Sequence, residues 1–152
     1  MDGEFVVFLI GMRVNRWWRV LQWFRVALAM PPMVRELEAN PELGFLGGES
    51  WFGRTTIMVS YWRSMEDLMT YAKNRNAQHL LAWSSFNKRV GTNGDVGIWH
   101  ETYRIHPGDS ESVYVNMMPF GLGKAGALVE AHGKRATAAG RLASGIGVQQ
   151  TA

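Results

Sequence analysis

The chain is 152 residues long and 47% hydrophobic, enough for one domain with its own core and short for two. Lys and Arg total 16 against 13 Asp and Glu, and the net charge of +3 is spread along the chain without a basic block, which argues against a nucleic-acid partner. The lack of cysteine excludes disulfides, thiolate nucleophiles and Cys-ligated metal, and accords with a cytoplasmic protein.

The opening apolar run, FVVFLIGM, spans eight residues before Arg13, follows Asp2 and Glu4, and has neither a basic leader nor a cleavage site. It reads as a buried strand over 4–15 rather than a membrane span. RWWRVLQWFRVALAMPPMVRELEANPE then places Trp17, Leu21, Phe24 and Leu28 at helical spacing, a long amphipathic helix kinked or restarted at Pro31 and Pro32. GFLGGESWFGRTTIMVSYWRS alternates around Gly53 and Arg54 and predicts a hairpin of two short strands. Ser64 followed by Asp67 is a capping-box pattern, starting a second helix on Leu68, Tyr71 and Ala72. NAQHLLAWSSFNKRV restarts a helix at Asn76, and the glycines of GTNGD end it. GDVGIWHETYRI is the next strand, and ESVYVNMM a last one before Pro119.

Strand, helix, two strands, helix, strand predicts an α+β fold: a ferredoxin-like antiparallel sheet with helices on one face. The strands look apolar on both faces, so the simplest cover for the open face is a second copy, giving a homodimeric α+β barrel. Residues 1–120 form this domain. Residues 121–152 turn to Gly, Ala and small polar side chains with no aromatic after Phe120, and read as an arm over a partner subunit, a lid or a tail. The glycines of GLGKAG match neither a phosphate loop nor a dinucleotide fingerprint.

Seven tryptophans in so short a chain point to a flat or oily ligand, a packed core or a subunit interface. On the helix from Asn76, His79, Trp83, Phe86 and Val90 form one stripe, which turns His79 toward the sheet. In the strand after it, period-two alternation puts Val96, Ile98, His100, Thr102 and Arg104 on one face and Trp99, Glu101, Tyr103 and Ile105 on the other. One of the adjacent pair His100 and Glu101 therefore faces the helices, and its neighbour faces the dimer interface. A single histidine on an apolar stripe is as readily a hydrogen-bonded core residue as a ligand. Glu101 is expected to pair with Arg13 or Arg104. Trp62, Trp83, Trp99, Met12, Met58 and Phe86 together would line a hydrophobic pocket for a small molecule.

FVVFLIGMRVNRWW, YWRSMEDLMTYAKNRNAQHLLAWSSFNKRVG, GDVGIWHETYRI and VYVNMMPFGLGKAG resemble the family of small proteins similar to the fumagillin-cluster monooxygenase, grouped with antibiotic-biosynthesis-type monooxygenases of the dimeric α+β barrel superfamily. The resemblance spans residues 4–126 and implies the barrel dimer. The superfamily also contains haem-dependent and aldoxime-dehydrating branches, so fold leaves the reaction open. The first reading is a cofactor-free or loosely cofactor-assisted monooxygenase acting on an apolar substrate, with His79 or His100 as base and Asn87, Asn116 or a Trp N–H holding an oxyanion. The second is a haem enzyme, a haem-dependent oxygenase or aldoxime-dehydratase-like protein, with His79 or His100 as axial ligand and Arg75 or Arg104 meeting a propionate. The third is a non-catalytic binder of a hydrophobic metabolite. The histidines lack a third ligand at metal spacing, and Ser84 and Ser85 lack the GxSxG turn, so neither a metal nor a serine nucleophile is expected.

Overall fold

A computed structural model describes residues 3–74 and 93–144, and the backbone of 147–150. Strand β1 (Phe5–Val14) is followed by helices α1 (Val20–Ala27) and α2 (Met30–Ala39), then by strands β2 (Phe45–Trp51) and β3 (Ile57–Trp62). Helix α3 (Met65–Lys73) precedes strand β4 (Val96–Ile105). The four strands form one antiparallel sheet in the order β2-β3-β1-β4, the ferredoxin-like arrangement expected from the sequence. The helix expected from Asn76 lies outside the described residues.

Cross-strand register fixes the two sheet faces. Val6 pairs with Trp62 and Arg104, Ile10 with Met58 and His100, and Met12 with Ile98. Even-numbered positions of β1, β3 and β4 therefore share the face that meets the helices. At one end of this face Val6, Phe45 and Trp62 pack with Leu37 of α2 and with Leu68 and Tyr71 of α3. The Trp62 ring lies 5.6 Å from both Phe45 and Tyr71, and its Nε1 donates to Ser60 Oγ at 3.1 Å. At the other end Met12, Val14 and Val96 pack with Trp23, Val26 and Ala27 of α1.

The break in the first helical segment falls at Leu28 and Ala29, just ahead of the two prolines. Pro31 and Pro32 occupy the first turn of α2, where a backbone N–H has no intrahelical acceptor to lose. The stripe Trp17, Leu21, Phe24 and Leu28 does not face the sheet: all four are exposed, and Trp23, Val26 and Ala27 are turned inward instead. Both stripes have helical spacing, so periodicity alone does not choose between them. Anchoring does. Asn15 and Arg16 N–H groups donate to the Asp95 carbonyl, the Arg16 guanidinium pairs with the Asp95 carboxylate at 2.9 Å, and Trp23 Nε1 donates to the Trp17 carbonyl.

Ser64 caps α3 as its sequence predicts, accepting from Asp67 N–H at 3.0 Å while its hydroxyl donates to Asp67 Oδ2. At Gly44 the chain turns with φ of +81°, a left-handed conformation suited to glycine, and its carbonyl accepts from Arg63 N–H. The strand expected over 111–118 contracts to β5 (Val113–Val115) and joins a separate parallel sheet, β5-β7-β6, with β6 (Leu128–Glu130) and β7 (Gly147–Gln150). The helical turn Leu122–Ala125 lies on the sheet face away from α1–α3. There Phe120 meets Trp51 edge to face, and Lys124 lies 3.5 Å from Glu49. Burial beneath this turn, reinforced by nearby Tyr114, raises the Tyr61 phenol above its ordinary pKa.

Candidate functional site

A cavity of about 1080 Å³ lies between the sheet and the helices. Its floor is made by cross-strand pairs: Phe8 beside Thr102, Ile10 beside His100, and Met12 beside Ile98, with Met58 from β3. Trp23 and Val26 of α1 and Met30 and Met33 at the start of α2 form one wall. Met65, Leu68 and Met69 of α3 form another, and the hairpin loop brings Phe52 and Arg54 to the rim. Six of the nine methionines thus line one chamber. Unbranched thioethers with three rotatable bonds fit irregular apolar shapes, so the wall is suited to an oily ligand without demanding one outline.

His100 is the described imidazole on this surface. It projects from β4 on the helix-facing side, exposed, its ring 5.8 Å from that of Phe8. Such a ring can accept a proton from a ligand, or ligate a metal through its neutral form. Thr102, Thr56 and Gln22 supply neutral polar groups, and Arg25 and Arg54 supply cations. Arg54 is held by its Nε bond to the Val14 carbonyl at 3.2 Å.

Of the residues singled out from sequence, Met12, Met58 and His100 come together in this chamber. Trp62 shares their sheet face but sits in the core beside Val6, at the far end of β3, and does not line the cavity. Trp99 does not line it either. It lies on the opposite sheet face with Glu101 and Tyr103, and its buried Nε1 has no hydrogen-bond partner among the described residues. Asn116 is exposed after β5 with φ of +54°, away from the cavity lining. Arg104 shares the helix-facing side without reaching the cavity. His79, Asn87, Trp83, Phe86 and Arg75 lie outside the described residues, as do Ser84 and Ser85.

The adjacent ionisable residues of β4 separate by parity: His100 faces the helices and Glu101 the opposite side. Glu101 accepts a hydrogen bond from the Tyr103 hydroxyl rather than pairing with Arg13, which donates to Thr55 Oγ1. That bond raises the Tyr103 phenol above its ordinary pKa. Sequence reasoning missed Phe8, Ile10, Trp23, Met30, Met33, Met65 and Met69. The spacing of Met65, Leu68, Met69 and Ala72 was the available signal, since these share one side of a helix.

A four-stranded ferredoxin-like antiparallel sheet with helices on one face, and a cavity between the two layers, places the chain in the α+β class. Within that class, residues 5–122 match the monooxygenase af470-like family, and the chain belongs to it. It is 30% identical over 133 residues to monooxygenase af470 of Aspergillus fumigatus, covering 80% of this chain and 46% of that protein. The chain therefore spans about half the length of this curated relative. Among solved structures, an aldoxime dehydratase in complex with butyraldoxime superposes with a TM-score of 0.58 at 13% identity, over 70% of this chain and 33% of the other. A conserved protein of unknown function from Bacteroides thetaiotaomicron, described as a possible oxidoreductase, gives 0.51 at 10% identity, over 69% of this chain and all of the other. At these identities the two structures support the fold alone.

Proposed function

We propose that the protein is a monooxygenase acting on a small, electron-rich hydrophobic substrate held in the chamber between helices and sheet. The observation that carries this reading is His100, the one described imidazole on a cavity walled mainly by methionine, aromatic and aliphatic side chains. Family membership supports the reaction class.

The reaction that suits the site needs no external reductant. A methylene acidified by neighbouring conjugated groups loses a proton to His100, and the resulting carbanion gives its electrons to dioxygen. One oxygen atom becomes a carbonyl on that carbon and the other leaves as water, so a CH₂ group and O₂ yield C=O and H₂O. His100 takes the first C–H proton and returns it to the outer peroxide oxygen; loss of the second C–H proton to the same imidazole breaks the O–O bond, and the departing hydroxide takes that proton to leave as water. The apolar wall excludes water from the carbanion.

The working unit of this proposal is a homodimer. Val7, Leu9, Val59, Trp99 and Tyr103 stand on the sheet face away from α1–α3, and the same face of a second copy would cover them. Native mass measurement tests this directly.

Oxygen uptake with an anthrone-type polycyclic ketone tests the reaction. The expected result is one O₂ consumed per carbonyl formed, with the rate reduced about 100-fold in His100→Ala at unchanged circular dichroism. Equal rates for the two proteins would overturn the role of His100. Tight binding of the ketone with no oxygen uptake would favour the non-catalytic binder.

A second reading, haem binding, has one observation in its favour: His100, Arg25 and Arg54 border the same cavity. The imidazole would hold the iron and the two guanidiniums the propionates, and haem so bound would supply iron-centred chemistry. Haem titration should then produce a Soret band that disappears in His100→Ala. An unchanged spectrum rejects it.

A further inference from the structure

Large apolar side chains crowd the outward side of α1, the turn before it and the neighbouring hairpin tip. Trp17 is 71% exposed, Trp18 61%, Leu21 67% and Leu28 54%, and Phe52 at the neighbouring hairpin tip is 87% exposed. Phe24 continues the stripe at 49%. A soluble chain rarely leaves so many large apolar groups together unless they meet a partner.

The surrounding charge identifies the kind of partner. Summed over the whole chain the charge looks evenly spread, but residues 5–35 contain five arginines and no Asp, Glu or Lys. Arg16 is paired with Asp95, whereas Arg19, in the turn with Trp17 and Trp18, and Arg25, on α1, are exposed. Aromatic and aliphatic side chains on one stripe, with guanidiniums at its borders, are what an interfacial helix presents to an anionic bilayer. A second copy meeting this face through a two-fold axis would bring like-charged arginine borders together, which disfavours self-association here. Among the described residues, no helix is long and apolar enough to cross a membrane, so the segment lies on a surface rather than spanning it.

We propose that α1 and the hairpin tip dock this protein on an anionic lipid surface, with Trp17, Trp18, Leu21, Phe24 and Phe52 entering the headgroup region and Arg19 and Arg25 contacting lipid phosphates. Trp17, Arg25 and Phe52 also border the chamber, so an apolar ligand dissolved in the bilayer reaches it without crossing bulk water. Docking goes beyond the catalytic reading and stands or falls without it, because its measurement is binding rather than turnover.

The full chain is sedimented with vesicles of phosphatidylcholine alone and of phosphatidylcholine mixed with phosphatidylglycerol. The expected result is at least tenfold tighter binding to the mixed vesicles, weakened by salt. Brominated acyl chains in those vesicles should quench tryptophan emission. The double variant Trp17→Ser/Trp18→Ser, altered only at exposed positions, should lose at least tenfold in binding with an unchanged circular dichroism spectrum. Arg19→Gln/Arg25→Gln should lose about 30-fold on the anionic vesicles alone. The proposal is overturned by absence of wild-type binding to the mixed vesicles, by absence of bromolipid quenching, or by equal binding of the tryptophan variant. A change in native mass of that variant without lipid would assign the stripe to a protein partner instead, and would overturn it too.

Discussion

Replacing Gly11 with alanine puts a methyl group where strand β1 passes closest to the β2–β3 hairpin loop. The new Cβ would overlap the Thr56 carbonyl oxygen and lie 2.8 Å from Trp99 Nε1. Thr56 cannot swing aside alone: its N–H donates to the Met12 carbonyl at 2.8 Å, and its hydroxyl accepts from Met12 N–H at 3.0 Å. Relief therefore requires β1 and the loop to separate, at about 1 kcal/mol for each bond weakened. Overpacking against the indole adds about 1 kcal/mol or more, for a total near ~3 kcal/mol. Gly11 does not have a positive φ, so this cost is steric rather than conformational. Gly97 on the adjacent strand β4 is the control. Its nearest neighbours to an added Cβ are Asn15 Nδ2 at 3.7 Å and Arg13 Cβ at 3.9 Å, and Gly97→Ala should stay within about 0.5 kcal/mol of the parent. Urea unfolding followed by tryptophan emission and far-ultraviolet circular dichroism measures both, with an unchanged slope marking a pure stability effect. A Gly11→Ala midpoint matching that of the parent, or an equal loss in Gly97→Ala, would refute the reasoning.

Burial, aided by a hydrogen bond to Glu36 Oε2 at 2.9 Å, holds the Tyr71 phenol well above its ordinary pKa. The folded state then keeps this proton to higher pH than the unfolded state, so its contribution is full below about pH 10 and declines above it. Tyr71→Phe should cost about 1 kcal/mol at neutral pH and shallow the alkaline fall, as read by denaturation across a pH series. The bonds from Arg63, and secondarily from Ser64, keep the Asp67 carboxyl below its usual range. Their contribution is present above about pH 4 and fades on acidification. Ser64→Ala should lower stability by about 1 kcal/mol through the lost cap, measured by thermal unfolding at neutral pH.

Local signals carried much of the fold. The apolar run of β1, the hairpin around Gly53 and Arg54, and the Ser64–Asp67 cap each depend on neighbouring residues, and each forms where the chain indicates. Parity in β4 likewise separated His100 from Glu101 before any register was known. The site was less legible because it depends on contacts between distant segments. Trp62 has the same parity as Met58, but only its pairing with Val6 and Phe45 shows that it lies beyond the end of the chamber. In α1 two apolar stripes compete, and Asp95, 79 residues beyond Arg16, anchors the segment that presents one of them inward. Hydrophobicity alone could not distinguish the stripe facing the cavity from the one facing outward.

The methionine wall has a consequence for the lifetime of the protein. Each thioether can take up one oxygen atom to become a sulfoxide, replacing a soft apolar group with a strong dipole. Under the proposed oxygenation, peroxide released by an unproductive turnover would meet these sulfurs before escaping, and Met58, which belongs both to this wall and to the core around Val6 and Trp62, would carry the damage into the packing. Repeated misfiring would thus roughen the chamber and loosen the core beside it together, and repair by sulfoxide reduction would restore both.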